Sequence, residues 1–178
     1  PHQHLLENLG KSIPRNRQTQ SRLHCMRRCL ILLICMFAAG CLSAQSTIVI
    51  SKQSLKLYVI DLDADTLCTF SCACGKNRGD KRYLGDYRTP EGVFTIASIE
   101  NSKYWRYKGG VRNVYGPYFI RLNTGTWKGI GIHGTNAPRT IGTRCTKGCI
   151  RLRNKDLLQL IEQIDLGTEV HILSDYNQ

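Results

Sequence analysis

Acid is what this sequence is short of. Its 178 residues carry 13 Asp and Glu against 25 Lys and Arg, a formal net charge of +12. Between Ala97 and Asp156 the one acidic residue is Glu100. A catalytic histidine in that stretch lacks a nearby carboxylate in sequence, so a backbone carbonyl becomes the candidate for orienting it. The excess of base invites a nucleic-acid partner. Against this, there is no aromatic RNA-binding signature and no basic stripe at helical spacing, so no nucleic acid is expected. The basic residues are scattered, which reads as a solvated surface or one facing an anionic polymer. Internal repeats and low-complexity linkers are also missing. No apolar run reaches the ~20 residues of a membrane-spanning helix, so no stable span is expected in the mature chain.

The longest apolar run, Cys29 to Ala39, follows Arg27 and Arg28 and precedes Ala38-Ala39-Gly40 and Ser43-Ala44. A positive start, a short apolar middle and small residues have signal-peptide proportions, so residues 26–44 are expected to be a signal peptide. Residues 1–25 are polar and patternless, an upstream or disordered segment, with Met26 as the expected natural start. Cleavage after Ala44 would leave a soluble protein in the periplasm or cell envelope. The alternative is acylation at Cys41 within a lipobox-like Ala38-Ala39-Gly40-Cys41, giving a lipoprotein. Of the nine cysteines, Cys68, Cys72, Cys74, Cys145 and Cys149 fall in the exported part. Export permits disulfides, and an odd count leaves at least one thiol over.

Beyond residue 46 the pattern is mostly β. Ile48 and Ile50 alternate with polar neighbours, as do Leu55, Leu57 and Val59. Ser-Lys-Gln and Asp-Ala-Asp turns break these runs into hairpins. "VFTIASI", "PYFIRLN", "GIGIH" and "TEVHIL" read as further strands. Residues 101–116 form a long aromatic and basic connection, of the kind that covers sites. One segment changes period: Leu157, Leu160, Ile161 and Ile164 stand at helical spacing, with Asn154 as the expected N-cap. A single mostly-β domain over residues 47–173, with one main helix near its C-terminus, is the expectation.

His133 ends a strand, and Cys149 ends the polar loop that follows it. A free thiol, with a pKa near ~8.5, is mostly protonated at neutral pH. A neighbouring imidazole can take its proton and later return it to a departing amine. The carbonyl of Gly134 or a nearby residue could orient that imidazole. Backbone N–H groups around Lys147, Gly148 and Cys149 could hold a tetrahedral oxyanion. Gly148 permits an unusual backbone or a close approach. Spacing alone leaves other readings open. Cys145, Cys149, His133 and one cysteine of 68–74 could bind zinc, and Cys145 could pair with one of the thiols in Cys68–Cys74.

"HGTNAPRTIGTRCTKGCIRL" with "NKDLLQLIEQIDLGTEVHI" resembles the catalytic motif of the L,D-transpeptidase family of bacterial cell-wall enzymes. That motif runs His-Gly-Thr, a loop, then Ser/Thr-x-Gly-Cys-x-Arg or Asn. It falls on His133-Gly134-Thr135 and on Thr146-Lys147-Gly148-Cys149-Ile150-Arg151. "RTPEGVFTI" resembles the family's Thr-Pro-x-Gly-x-Phe turn. The resemblance implies an L,D-transpeptidase-like β-sandwich without metal or organic cofactor. It implies Cys149 as nucleophile, His133 as general base and acid, and the Gly134 carbonyl as the group orienting the imidazole. Thr135, Thr146, Gly148 and Arg151 fall on positions implied to bind substrate, the stem peptides of peptidoglycan. The implied reaction is 3→3 cross-linking, or L,D-carboxypeptidase hydrolysis if water replaces the acceptor amine. A non-catalytic peptidoglycan-binding envelope module is the alternative. Many family members have His directly before Gly-Cys, where this chain has Lys147.

Overall fold

The computed structural model describes residues 46–176. The expected signal peptide, the upstream segment, the Ala44 cleavage site and Cys41 lie outside the described residues. Ten strands form: β1 (Thr47–Ser51), β2 (Lys56–Ile60), β3 (Thr66–Ser71), β4 (Cys74–Gly75), β5 (Gly92–Asn101), β6 (Tyr118–Asn123), β7 (Gly131–His133), β8 (Arg144–Thr146), β9 (Ile150–Arg151) and β10 (Glu169–Leu173). The helix α1 (Asn154–Ile161) lies between β9 and β10. Eight strands make one sheet in the order β3-β2-β1-β10-β5-β6-β7-β9, and β4 pairs with β8 in a second, two-stranded sheet.

Alternation decides which side of each strand is buried. Ile48, Ile50, Leu57, Val59, Ile120, Ile132 and Ile150 are fully buried in one core with Leu157 and Leu160 of α1. Strands from both halves of the large sheet thus share a single interior, which requires the sheet to curl. The curl nearly closes. Beyond the end of β3, Ala73 exchanges both backbone hydrogen bonds, each 2.9 Å, with Arg151 of β9. The two edges of the sheet therefore meet beside the loop that carries Cys149.

Two local expectations change. Asn154 is the first residue of α1, and Arg153 precedes the helix without a side-chain cap. The Asn154 amide oxygen instead accepts the N–H of Thr135 at 2.8 Å, tying the helix start to the segment after His133. Gly116 and Gly134 pack so closely there that a Cβ on either would collide with that same oxygen. Lys52, read as part of a turn between strands, is 1% exposed. Its ammonium meets the carbonyls of Gly79 and Thr89 and the Glu91 carboxylate at 3.0, 3.1 and 2.6 Å. Among the described residues no helix is long and apolar enough to cross a membrane.

Candidate active site

His133 closes β7, where it pairs with Phe119 of β6 on one side and Arg151 of β9 on the other. The parallel β7–β9 pairing brings the end of the Cys149 loop alongside β7. His133 and Cys149 line one cavity of ≈ 210 Å³ with Tyr107, Val114, Tyr115, Cys145, Thr146, Lys147 and Arg151. The long connection between β5 and β6 supplies Tyr107, Val114 and Tyr115, so it does cover the site.

The imidazole is 4% exposed. Its Nδ1 lies 2.6 Å from the Gly134 carbonyl oxygen. That oxygen can only accept, so Nδ1 carries the proton and the neutral ring keeps a bare Nε2. Burial lowers the His133 pKa to about 4, against the Gly134 bond that raises it, and the Arg151 charge lowers it further. The ring is therefore neutral at neutral pH. Phe119 stacks on it at 5.5 Å and 9°, and Tyr115 meets it edge-on at 5.1 Å. Arg121 sits 5.1 Å from the Phe119 ring and is held by Glu100 through bonds of 2.7 and 2.9 Å. The Arg121 hydrogen bond, with one from Ser98, holds the Glu100 carboxyl down to about 2. The lone acid of this stretch thus reaches the imidazole indirectly, through a guanidinium and an aromatic ring.

The Cys149 thiol is half-buried and sits 3.4 Å from the carbonyl of Gly129. Burial pushes its pKa up, while the Gly131 N–H and the charges of Arg151, Arg121 and Lys81 pull it back. Burial prevails, so the resting pair is a thiol and a neutral imidazole.

Thr146 shapes the turn that presents this thiol. Its hydroxyl donates to the Cys149 carbonyl at 2.6 Å and accepts the Gly148 N–H at 3.1 Å. That N–H, expected as an oxyanion donor, is thereby engaged within the turn. Gly148 has φ +135°, and a Cβ there would meet the Arg88 carbonyl at 2.9 Å and Ile130 at 3.2 Å. The close approach that requires glycine comes from the protein itself rather than from a ligand.

Thr135, expected at the substrate, is 3% exposed. Its hydroxyl accepts the Ala137 N–H at 2.9 Å, and it lies outside the cavity lining. A hydroxyl two residues past a strand end closes a local turn in this way. Arg151 does line the cavity, with Nη1 3.2 Å from the Thr140 hydroxyl. Among the described residues its Nε is buried without a hydrogen-bond partner.

Cys145 is exposed and lines the same cavity. Its sulfur contacts Arg151 at 3.7 Å and the Thr140 carbonyl at 3.8 Å. Cys72 and Cys74 lie with their sulfurs 3.9 Å apart, and all five described cysteines are free. The pairing of Cys145 with that group, one of the readings the sequence leaves open, is not formed. Among the described residues no cluster of three His, Cys, Asp or Glu could hold a metal. Sequence reasoning missed Tyr107, Tyr115, Phe119 and Asn154. The aromatic richness of residues 101–116 was the one signal pointing toward the first two.

The architecture around this cavity is that of an L,D-transpeptidase catalytic domain. The chain matches the family described as YkuD, L,D-transpeptidase catalytic domain, over residues 45–172, and belongs to it. Among its relatives, the protein of Bacillus subtilis named as the L,D-transpeptidase YqjB is 32% identical over 134 residues, spanning 72% of this chain and 71% of its own length. YcfS of Escherichia coli, also named as an L,D-transpeptidase, is 31% identical over 147 residues that span 71% of this chain but 43% of its own length. The chain thus corresponds to less than half of that relative. L,D-transpeptidase 3 from Mycobacterium tuberculosis, solved in complex with a faropenem-derived adduct, shares the fold with a TM-score of 0.56 at 19% identity, covering 73% of this chain and 60% of that one.

Proposed function

We propose that this chain is an exported cysteine L,D-transpeptidase acting on peptidoglycan stem peptides, delivered by a signal peptide over residues 26–44. One observation carries the reading: the Gly134 carbonyl fixes the His133 proton on Nδ1, leaving Nε2 as a base in the cavity that Cys149 lines.

Because the thiol is harder to ionise and the imidazole harder to protonate than usual, a preformed ion pair is disfavoured. The thiol proton passes to Nε2 as sulfur attacks the carbonyl of the third stem residue. The C–S bond forms, and the carbonyl oxygen takes the negative charge, which N–H groups of the Cys149 loop other than that of Gly148 would hold. As the intermediate collapses, the C–N bond breaks and the imidazolium gives its proton to the departing D-Ala. An acceptor amine then attacks the thioester and loses a proton to Nε2. A 3→3 amide results, and the thiol regains its proton. Water in place of the amine gives the tripeptide. Arg151 is suited to a substrate carboxylate, since guanidinium forks bind carboxylates well. No step calls on a cofactor.

Incubation with a carbapenem or penem, followed by intact mass measurement, tests the reading. The expected result is one covalent adduct on the wild-type chain and none on Cys149→Ala. A folded wild-type chain that forms no adduct would favour the envelope-binding module instead. Mass spectrometry of muropeptides then separates tripeptides from 3→3 dimers.

A further inference from the structure

Lys147 stands directly before Gly148 and Cys149, and its surroundings differ from those of the other cation in the cavity. Arg151 is half-buried, with its guanidinium on Thr140. Lys147 is exposed at the rim, two residues from Cys149. Its ammonium donates to the Tyr107 phenol oxygen at 2.7 Å and lies 5.3 Å from that ring's centroid. Tyr107 packs edge-on against Tyr115, and Tyr115 against His133, so an aromatic wall runs from the rim to the imidazole. No acidic residue lines the cavity. Lys147 forms no ion pair among the described residues; the Tyr107 hydroxyl is its hydrogen-bond partner. The ammonium–phenol bond has one ionised partner, whereas an arriving carboxylate adds full charge attraction to the hydrogen bond, so the carboxylate competes with the phenol oxygen for the ammonium. Two cations at different depths, neither in an ion pair among the described residues and both lining the cavity, suit a peptide bearing two carboxylates.

We propose that Lys147 is a specificity-determining residue, whose ammonium exchanges the Tyr107 oxygen for the side-chain carboxylate of the stem residue attacked by Cys149. The chain therefore prefers donors with that carboxylate free over donors in which it is amidated. This rests on the acyl-transfer reading above and adds to it a choice between two forms of the same donor.

The test uses two synthetic tetrapeptides, differing only in a carboxylate or a carboxamide on the third side chain. The ratio of kcat/KM for the two is measured in wild type, Lys147→Met, Lys147→Arg and Tyr107→Phe. Wild type is expected to prefer the carboxylate by about two- to fivefold, expressed in KM, as for an ion pair at an exposed rim. Lys147→Met should bring the ratio to about one, and Lys147→Arg should restore most of it. Tyr107→Phe, which keeps the ring and removes the competing oxygen, should hold or raise it. Equal use of both peptides by wild type would overturn the proposal, as would a preference unchanged in Lys147→Met or lost in Tyr107→Phe. Calorimetric binding of both peptides to Cys149→Ala gives the preference without turnover. Preferential binding with no thioester formed by wild type would sink the acyl-transfer reading and leave the selectivity standing. Thioester formed equally from both peptides would do the reverse.

Discussion

Two polar clusters in this domain invite comparison, one around Lys52 and one around Cys149. Each of the three ammonium hydrogens of Lys52 has an acceptor in Gly79, Thr89 or Glu91. Asp175, 3% exposed, lies 3.3 Å from the same ammonium, accepts the Gly79 N–H at 2.7 Å and takes Arg144 on its other oxygen. Polar capacity there is used up, as buried charge requires. The cavity is the opposite case. Among the described residues the imidazole keeps a bare Nε2, and the Lys147 ammonium rests on a phenol. Saturation holds a fold together, and unspent hydrogen-bonding capacity is what a substrate can use.

The comparison breaks first at Cys149. Cys149→Ala should lower turnover by at least about 10⁴-fold while moving the denaturation midpoint little, as measured by muropeptide release and urea unfolding. A large stability loss would mean that the thiol belongs to the structural class after all. Lys52→Met should do the reverse. Stripping the cation from Glu91 and Asp175 is expected to cost about 3–5 kcal/mol of stability, with turnover per folded molecule unchanged.

The imidazole yields a smaller effect with a defined sign. Folded His133 titrates at about 4, below the ~6.5 of an unfolded chain. As pH falls, the unfolded state takes the proton first. Stability from the neutral ring is full above ~6.5 and is lost between there and about 4, amounting to about 3 kcal/mol. Urea unfolding at pH 7 and pH 4 should show this loss in wild type in excess of that in His133→Phe. β-Lactam acylation should fall over the lower part of the same range, near pH 4. The smallest effect is expected from Thr146→Val, about 1–2 kcal/mol for a lost turn hydroxyl. It should be accompanied by slower acylation, because the turn that presents the thiol loosens.

The sequence was readable where periodicity or motif carried the information. Alternation placed Ile48, Ile50, Leu57 and Val59 inside, and helical spacing found Leu157 and Leu160. The motif pointed to His133 and Cys149, which the fold brings to one cavity. What escaped depends on partners distant in the chain. Lys52 looks like a turn lysine because its three acceptors lie between 27 and 39 residues away. Asn154 looks like a cap because its true partner, Thr135, precedes it by 19 residues. Thr135 and Gly148 read as substrate contacts, yet their tight geometry serves the loop itself. Local pattern tells which side of an element faces inward. It says nothing of which distant group will be waiting there.

The meeting of Ala73 with Arg151 has a consequence for how the domain comes apart. Exposed sheet borders are where strands peel away and where foreign chains attach. Here the two borders are stitched to each other, and one of the stitches is a residue of the reaction chamber. A molecule that frays at this join loses its hold on the cavity-lining guanidinium before it loses its interior. Inactivation by heat or denaturant should therefore run ahead of global unfolding.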